Sequence, residues 1–302
     1  MRKHLVTGGT GFIGSALVRA LAGRGDAVTV LTRGADREEQ GVRYAHWHPL
    51  DNDDWFRLVE GQDTILHLAG GQAVGVRYTK AVKLRLYDAR VTIGRQLVEA
   101  VERASLRPRT LISASGVSYY GGTLEHTFVD ETAGAGTDFL AKLCVDWEAA
   151  TERAAELGVR VVHARMAPVL GKGGGSLATM ALVFKLFAGG WIGSGRQGFS
   201  WVHLDDAIEI WLRLIDDEKI SGKVNVTSPH PVSNKEVSKA LGKQLHRPCW
   251  IPVPALALEA AFGEGAEPFL TGQWAVPKVM QSHGFTWKYP EIEPALGQAL
   301  SG

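Results

Sequence analysis

Cysteine is almost absent: Cys144 and Cys249 are the only two in 302 residues. They stand far apart and lack metal-ligand spacing, which excludes a disulfide framework and points to unpaired thiols in a reducing compartment, the cytoplasm. An excess of one charge is absent too. Thirty-three basic residues against 32 acidic ones leave a net charge of +1, so nucleic acid and membrane are not expected partners, while a small anionic ligand stays open. Long hydrophobic runs are also missing. The most apolar stretch, "LATMALVFKLFAGGWIG", is cut by Lys185, Gly189 and Gly190 and is too short to span a bilayer. The basic start Met-Arg-Lys-His runs into "LVTGGTGFIG" before the apolar core of a signal peptide could form, so no secretion signal is expected. The ten histidines show no zinc-type spacing. His46 and His48, flanking Trp47, would need further ligands, and no metal is implied.

What the chain has in quantity is glycine, 36 residues of it, within a composition that is 45% hydrophobic. That is a soluble globular chain long enough to bury a substantial core. Glycine inside a helix or strand costs conformational entropy, so these glycines are expected at turns and close backbone approaches. The segment "HLVTGG" reads as a strand, followed by Phe12, Ile13, Leu17, Val18 and Leu21 at helical spacing. Strands "AVTVLT", "VRYAHW" and "DTILHLAG" follow, then a long helix from about Thr79 to Ala104, strand "RTLISAS", a helix from about Asp138 to Leu157, and strand "VRVVHARM". Runs of β-branched residues separated by amphipathic helices specify parallel strands covered on both faces. The fold class is therefore α/β: a Rossmann-type doubly wound parallel sheet over residues 1–165, completed by about 200–230. A smaller α/β substrate region takes 166–199 and 231–302, where glycine-rich loops, prolines and aromatics break the rhythm.

The segment "TGGTGFIG" gives the sheet a ligand. Gly8 makes the tight turn, Gly11 lets a pyrophosphate approach the backbone, and Gly14 lets the helix lie on the sheet. Thr10, Phe12 and Ile13 complete the turn at a helix N-terminus whose free N–H groups and partial positive charge favour an anion. The strand before and the helix after give the glycines their weight. At the tip of the second strand, where an acidic residue would accept the two hydroxyls of an adenosine ribose, the chain has Thr32 and Arg33. A guanidinium suits a 2′-phosphate, so the cofactor expected is NADP in preference to NAD.

These residues, with several later ones, resemble the extended short-chain dehydrogenase/reductases, the NAD-dependent epimerase/dehydratase group. "HLAG" resembles the fourth-strand motif, placing Leu68, Ala69 and Gly70 beside the cofactor. "RVTIGRQLVEA" is similar to the following helix, with Arg90 where asparagine is usual and in reach of a pyrophosphate. "LISASGVSYYG" resembles the segment carrying the active-site serine, "RMAPVLG" the loop after the sixth strand with Val169, and "WVHLDDAIEIW" and "VNVTSPHPVSNKEV" later segments. The resemblance covers about residues 3–245 and implies a fold and a dinucleotide more firmly than a reaction; the substrate expected is a small polar molecule, such as a sugar derivative. In that family a Tyr-x-x-x-Lys pair does the acid–base work, the lysine lowering the tyrosine pKa. Counting from Glu148 puts Leu140 and Cys144 at those two positions, and neither can fill the role. The chain thus resembles an atypical branch that lacks the dyad and carries a distinct C-terminal extension.

Ser115 fits the active-site serine better than Ser113. Tyr119 and Tyr120 are the nearest phenols, able to donate a proton if a cation or hydrogen bond lowered their pKa, or else to pack against the pocket. Cys144 is read as a buried structural thiol, and Lys142, Asp146 and Arg153 as a solvated helix face. Arg196, Trp201 and His203 could form a basic, aromatic-lined substrate wall; equally, His203 could be a satisfied structural histidine beside Asp205 and Asp206. Two functions stay open: an NADP-dependent oxidoreductase or epimerase-like enzyme, and an inactive dinucleotide-binding sensor.

Overall fold

The computed structural model describes residues 1–48 and 54–301. Its frame is one eight-stranded sheet. The strands are β1 (Lys3–Thr7), β2 (Ala27–Thr32), β3 (Arg37–Glu39), β4 (Val42–His46), β5 (Thr64–His67), β6 (Thr110–Gly116), then, after the short β7 (Phe128–Val129), β8 (Arg160–Met166) and, further along, β12 (Gly222–Val226). Their spatial order is β12-β8-β6-β5-β1-β2-β4-β3. Every pairing is parallel except that of β3, which folds back on β4 as an antiparallel edge. The chain winds outward from β1 through β2 to β4, then crosses to β5 and winds the other way. This is the doubly wound arrangement, and its switch point lies between β1 and β5, where the C-terminal ends of open α/β sheets receive ligands.

Alternation along the strands sends apolar residues to both faces. Val6, Val30 and Ile112 pack with Leu17 of α1 (Phe12–Gly23) and Trp211 of α6 (Leu204–Asp216). Leu5, Leu31, Ile65 and Leu111 face the other way, toward Ile93 and Leu97. The long helix expected over about 79–104 forms as α2 (Lys80–Tyr87) and α3 (Ile93–Arg103), joined by one π-helical turn at Asp88–Thr92. Thr79 caps it by accepting the Val82 N–H at 3.2 Å. Likewise α4 (Phe139–Glu152) starts at Asp138, which accepts the Ala141 N–H at 2.8 Å, and its helical run reaches Leu157 through a closing 3-10 turn, Arg153–Leu157.

The remaining elements make a smaller lobe with its own core. Leu177 and Phe184 of α5 (Gly175–Lys185), Leu241 of α7 (Asn234–Leu245), Leu296 and the fully buried Trp201 share one cluster. Three two-stranded pairings stitch this lobe: β9 (Val169–Leu170) with β11 (Val202–His203), β10 (Gly198–Phe199) with β13 (Val232–Ser233), and β7 with β14 (Trp274–Ala275). The last pairing matters for the crevice, because it ties the C-terminal segment to the loop that follows β6.

Candidate cofactor and active site

The glycine turn between β1 and α1 is a backbone device. Gly8 has φ +72°, and a Cβ there would lie 2.7 Å from the Ala69 nitrogen and the Leu68 carbonyl carbon. At Gly14 a Cβ would lie 2.2 Å from the Gly8 oxygen. Only glycine fits either position. Gly11 stands in extended conformation as the N-cap of α1, with no side-chain cap and no acidic residue in the first turn. The N–H groups of Phe12 and Ile13 are therefore left to whatever occupies the crevice. The half-buried Phe12 ring anchors the turn, since a Cβ at Gly174 would lie 2.5 Å from it. Beside Thr10 and Gly11 opens a hollow of about 380 Å³ flanked by Ser15, Arg19 and Lys172. Sequence reading passed over these two cations, although Gly11, Ser15 and Arg19 share one helical face by their spacing of four.

At the tip of β2, Thr32 is buried and its hydroxyl accepts the Gly34 N–H at 3.2 Å, while Arg33 projects into solvent. Arg37 lies nearby, its guanidinium 3.8 Å above the Tyr44 ring. Across the switch point the turn after β5 is fixed by β1: the Leu68 and Ala69 N–H groups donate to the Thr7 carbonyl and hydroxyl at 3.1 and 3.4 Å. Gly70 and Gly71 lie over Arg90. That side chain is 7% exposed and donates to the Leu86 and Gly71 carbonyls at 3.1 and 2.9 Å, with its guanidinium 5.1 Å from the Trp147 ring. It sits on the π turn, a feature that often marks functional sites. In this geometry Arg90 braces the loop under the crevice. Val169 is buried, with its backbone paired to Val202.

On α4, Leu140 and Cys144 are buried and Lys142 is exposed. Burial, reinforced by the nearby Glu148 charge, pushes the Cys144 thiol up to about 11, so it stays protonated and unreactive near neutrality. The polar chemistry lies one turn further on. Glu148, 6% exposed, receives two hydrogen bonds of 2.8 Å from the Nε and Nη2 of Arg165, which is fully buried on β8, and a third of 2.8 Å from the Ser115 hydroxyl. The remaining nitrogen of Arg165 donates to the Tyr120 hydroxyl at 3.1 Å, which in turn donates to Asn225 Oδ1 at 2.7 Å. Burial works against the Arg165 charge, but the hydrogen bonds and charge of Glu148 outweigh it and raise its pKa. For Tyr120, burial dominates and lifts the phenol to about 12, with Arg165 offsetting part of the shift. Tyr119 contributes its ring instead, 3.4 Å above the same guanidinium and edge-on to Tyr120 at 5.5 Å.

The structure thus gathers Ser115, Tyr119 and Tyr120 around a buried ion pair that sequence reading missed, having used Glu148 only as a register mark. A signal was available. An arginine near the end of the mainly apolar strand "VRVVHARM" has to find a carboxylate if it is buried.

Arg196, Trp201 and His203 do not form one wall. Arg196 is exposed, whereas Trp201 and His203 lie in the core of the smaller lobe. The Trp201 indole N–H donates to the His230 carbonyl at 3.1 Å. His203 accepts the Asp205 N–H at 3.1 Å as the cap of α6 and pairs with Gln298 at 2.7 Å. Among the described residues no cluster of His, Cys, Asp or Glu is arranged to hold a metal ion, and no helix is long and apolar enough to cross a membrane.

A doubly wound sheet with a glycine turn at its switch point defines a dinucleotide-binding protein of the short-chain dehydrogenase/reductase type. Residues 4–227 match the NAD dependent epimerase/dehydratase family, and 253–299 match a domain of unknown function, DUF1731. The chain belongs to that epimerase/dehydratase family, as a member with this C-terminal extension. It is 38% identical over 296 residues to the chloroplastic epimerase family protein SDR39U1 homolog of Arabidopsis thaliana, covering 96% of this chain and 84% of that one. The crystal structure of human SDR39U1 (isoform 2) with NADPH superposes with a TM-score of 0.86 at 31% identity, covering 98% of each chain. A nucleoside-diphosphate sugar epimerase from Corynebacterium glutamicum gives 0.80 at 31% identity, covering 99% of this chain and 58% of the other.

Proposed function

We propose that the protein is a cytoplasmic NADP(H)-binding, epimerase-like oxidoreductase acting on a small polar, sugar-derived substrate. The observation that carries the cofactor is the turn itself: positions that admit no Cβ, under an uncapped helix N-terminus, with Arg33 at the β2 tip in place of a carboxylate. The NADPH in the human relative and the name of the Corynebacterium relative support the same reading. In this reading Gly8, Thr10, Gly11, Phe12 and Ile13 hold the pyrophosphate. Thr32 and Arg33 hold the adenosine end, and Leu68, Ala69 and Gly70, braced by Arg90, form the floor together with Val169. Residues 1–165 and a stretch near 200–230 form the cofactor domain, the rest the substrate region, to which Arg196 brings an exposed cation.

The dinucleotide, when bound, supplies or accepts a hydride. The chain's own groups manage the proton and the orientation. Ser115 gives its hydrogen to Glu148 and keeps its lone pairs for a substrate hydroxyl. Tyr120, a neutral phenol tied to Arg165 and Asn225, positions the loop. Tyr119, whose ring rests on Arg165, is the phenol assigned to exchange a proton with the substrate oxygen.

One observation favours a second reading, a sensor that binds NADP(H) without turnover: Ser115 and Tyr120 are both engaged within the protein. Fluorescence titration with NADPH and NADH tests the cofactor. NADPH oxidation with a panel of carbonyl compounds and nucleotide sugars tests the enzyme. Turnover lost in Tyr119→Phe with NADPH affinity unchanged supports catalysis; tight binding with no turnover across the panel supports the sensor.

A further inference from the structure

Six large apolar side chains on the smaller lobe face solvent, each between 56 and 81% exposed: Leu182, Leu186, Phe187, Trp250, Ile251 and Leu256. They come from two segments that run side by side. The Val253 N–H donates to the Trp191 carbonyl at 2.7 Å, a Cβ at Gly190 would lie 2.1 Å from the Ile251 oxygen, and the Arg247 guanidinium sits 4.6 Å above the Phe187 ring. The second segment continues into α8 (Ala255–Phe262), where seven of eight residues are apolar and none is buried. A helix of eight residues does not stand on propensity and needs a packed face; here Leu258 and Phe262 are only half-buried, Phe262 against Phe269 at 5.6 Å, while Leu256 is left in solvent. Phe187 holds φ +60°, an unfavourable conformation for a residue with a side chain, with its ring outward.

We propose that this face is the contact surface of a homodimer, in which two copies meet about a twofold axis with α8 at the seam. Side chains this exposed, two of them aromatic, amount to several hundred square ångströms, on the order of the ~800 Å² that one partner contributes to a standard interface. That exceeds the scattered apolar exposure ordinary on a monomer. The charges around it also suit a second copy. Arg247 stacks on Phe187, Lys185 precedes it on α5 and Glu259 lies on α8, so the segments that carry the patch bear both signs, as a self-complementary interface needs. An anionic membrane would instead select a rim of one sign, and the whole chain carries only +1. The inference is independent of the cofactor reading and gives the start of the segment matched by DUF1731 a role in self-association.

Sedimentation velocity of the full chain from low to high micromolar concentration tests it, with Leu186→Glu/Ile251→Glu as the disrupting variant and Leu256→Ala as a milder one. The expected result is a species of twice the 32.6 kDa chain mass. The double variant should sediment as a monomer with wild-type NADPH affinity, and Leu256→Ala should weaken dimerisation at least tenfold. Amide exchange in α8 should slow as concentration rises. The proposal is overturned if the wild type is monomeric throughout, if the dimer is as tight in a folded variant, or if a monomer floats with phosphatidylcholine/phosphatidylglycerol vesicles. If the double variant fails to fold, Leu256→Ala and the exchange measurement decide.

Discussion

The two halves of the crevice are built by opposite means. On the β1–α1 side the chain offers backbone: glycines, an uncapped helix end and a turn held by main-chain hydrogen bonds. On the β6–α4–β8 side it offers side chains, a buried carboxylate and guanidinium with a serine and two tyrosines arranged around them. The first half tolerates no added atom, and the second tolerates no lost charge. The difference teaches where each kind of damage is felt.

The largest expected effect lies in the second half. Removing one member of a buried ion pair leaves the other uncompensated, so Glu148→Ala should cost about 3–5 kcal/mol of stability, read as a fall in urea midpoint. A double change of Glu148→Leu and Arg165→Met should recover a large part of that loss, because both charges then leave together. If the single variant is no less stable than the double, the carboxylate is not carrying the cluster.

His67 lies between the halves, fully buried at the end of β5, with Nδ1 on the Thr7 hydroxyl at 2.8 Å. Burial lowers its pKa from 6.5 to about 4. The unfolded chain therefore binds this proton below about pH 6.5 while the folded chain refuses it until about pH 4. Stability should fall as pH drops through that window, by roughly 3 kcal/mol for the full interval. His4 and His163, lowered by burial too, add to the slope. Denaturant midpoints from pH 7 down to pH 4.5 check it, and His67→Gln should flatten the curve relative to wild type.

The first half predicts a contrast within one helix. Gly14→Ala puts a methyl 2.2 Å from the Gly8 oxygen, where only backbone can yield, and should cost about 1–3 kcal/mol together with most of the NADPH affinity. Gly23→Ala, at the far end of α1 with nothing within 4 Å, should instead stabilise by up to about 1 kcal/mol and leave binding alone. Thermal melts with and without NADPH separate the two outcomes.

The same division decides what the sequence revealed. Sheet, helices and glycine turn were legible because hydrophobic period and glycine spacing are local patterns. The π turn at Asp88–Thr92 was hidden inside a continuous helical pattern. The Glu148–Arg165 pair was hidden because its members are 17 residues apart on different elements and meet only once α4 lies against β8. Trp201 and His203 read as candidates for a substrate wall, His203 equally as a structural histidine, because residue type alone does not say which way a short segment turns its side chains; Trp201 and His203, the latter on β11, are both buried.

The smallest expected effect concerns Arg33, where both means meet: a single side chain beside a backbone site. Its guanidinium is exposed at the β2 tip, so water screens what it gains from an anion, and Arg37 stands close enough to share the task. Arg33→Ala should therefore narrow the preference for NADPH over NADH by about tenfold, roughly 1.4 kcal/mol, and not abolish NADPH binding. Affinity for NADH should stay near wild type, since it has no 2′-phosphate to lose. Paired fluorescence titrations at low and moderate salt check both statements, and the wild-type preference should itself shrink as salt rises. A variant that loses both dinucleotides equally would place Arg33 in the architecture of the turn, and the choice of cofactor would then rest with Arg37.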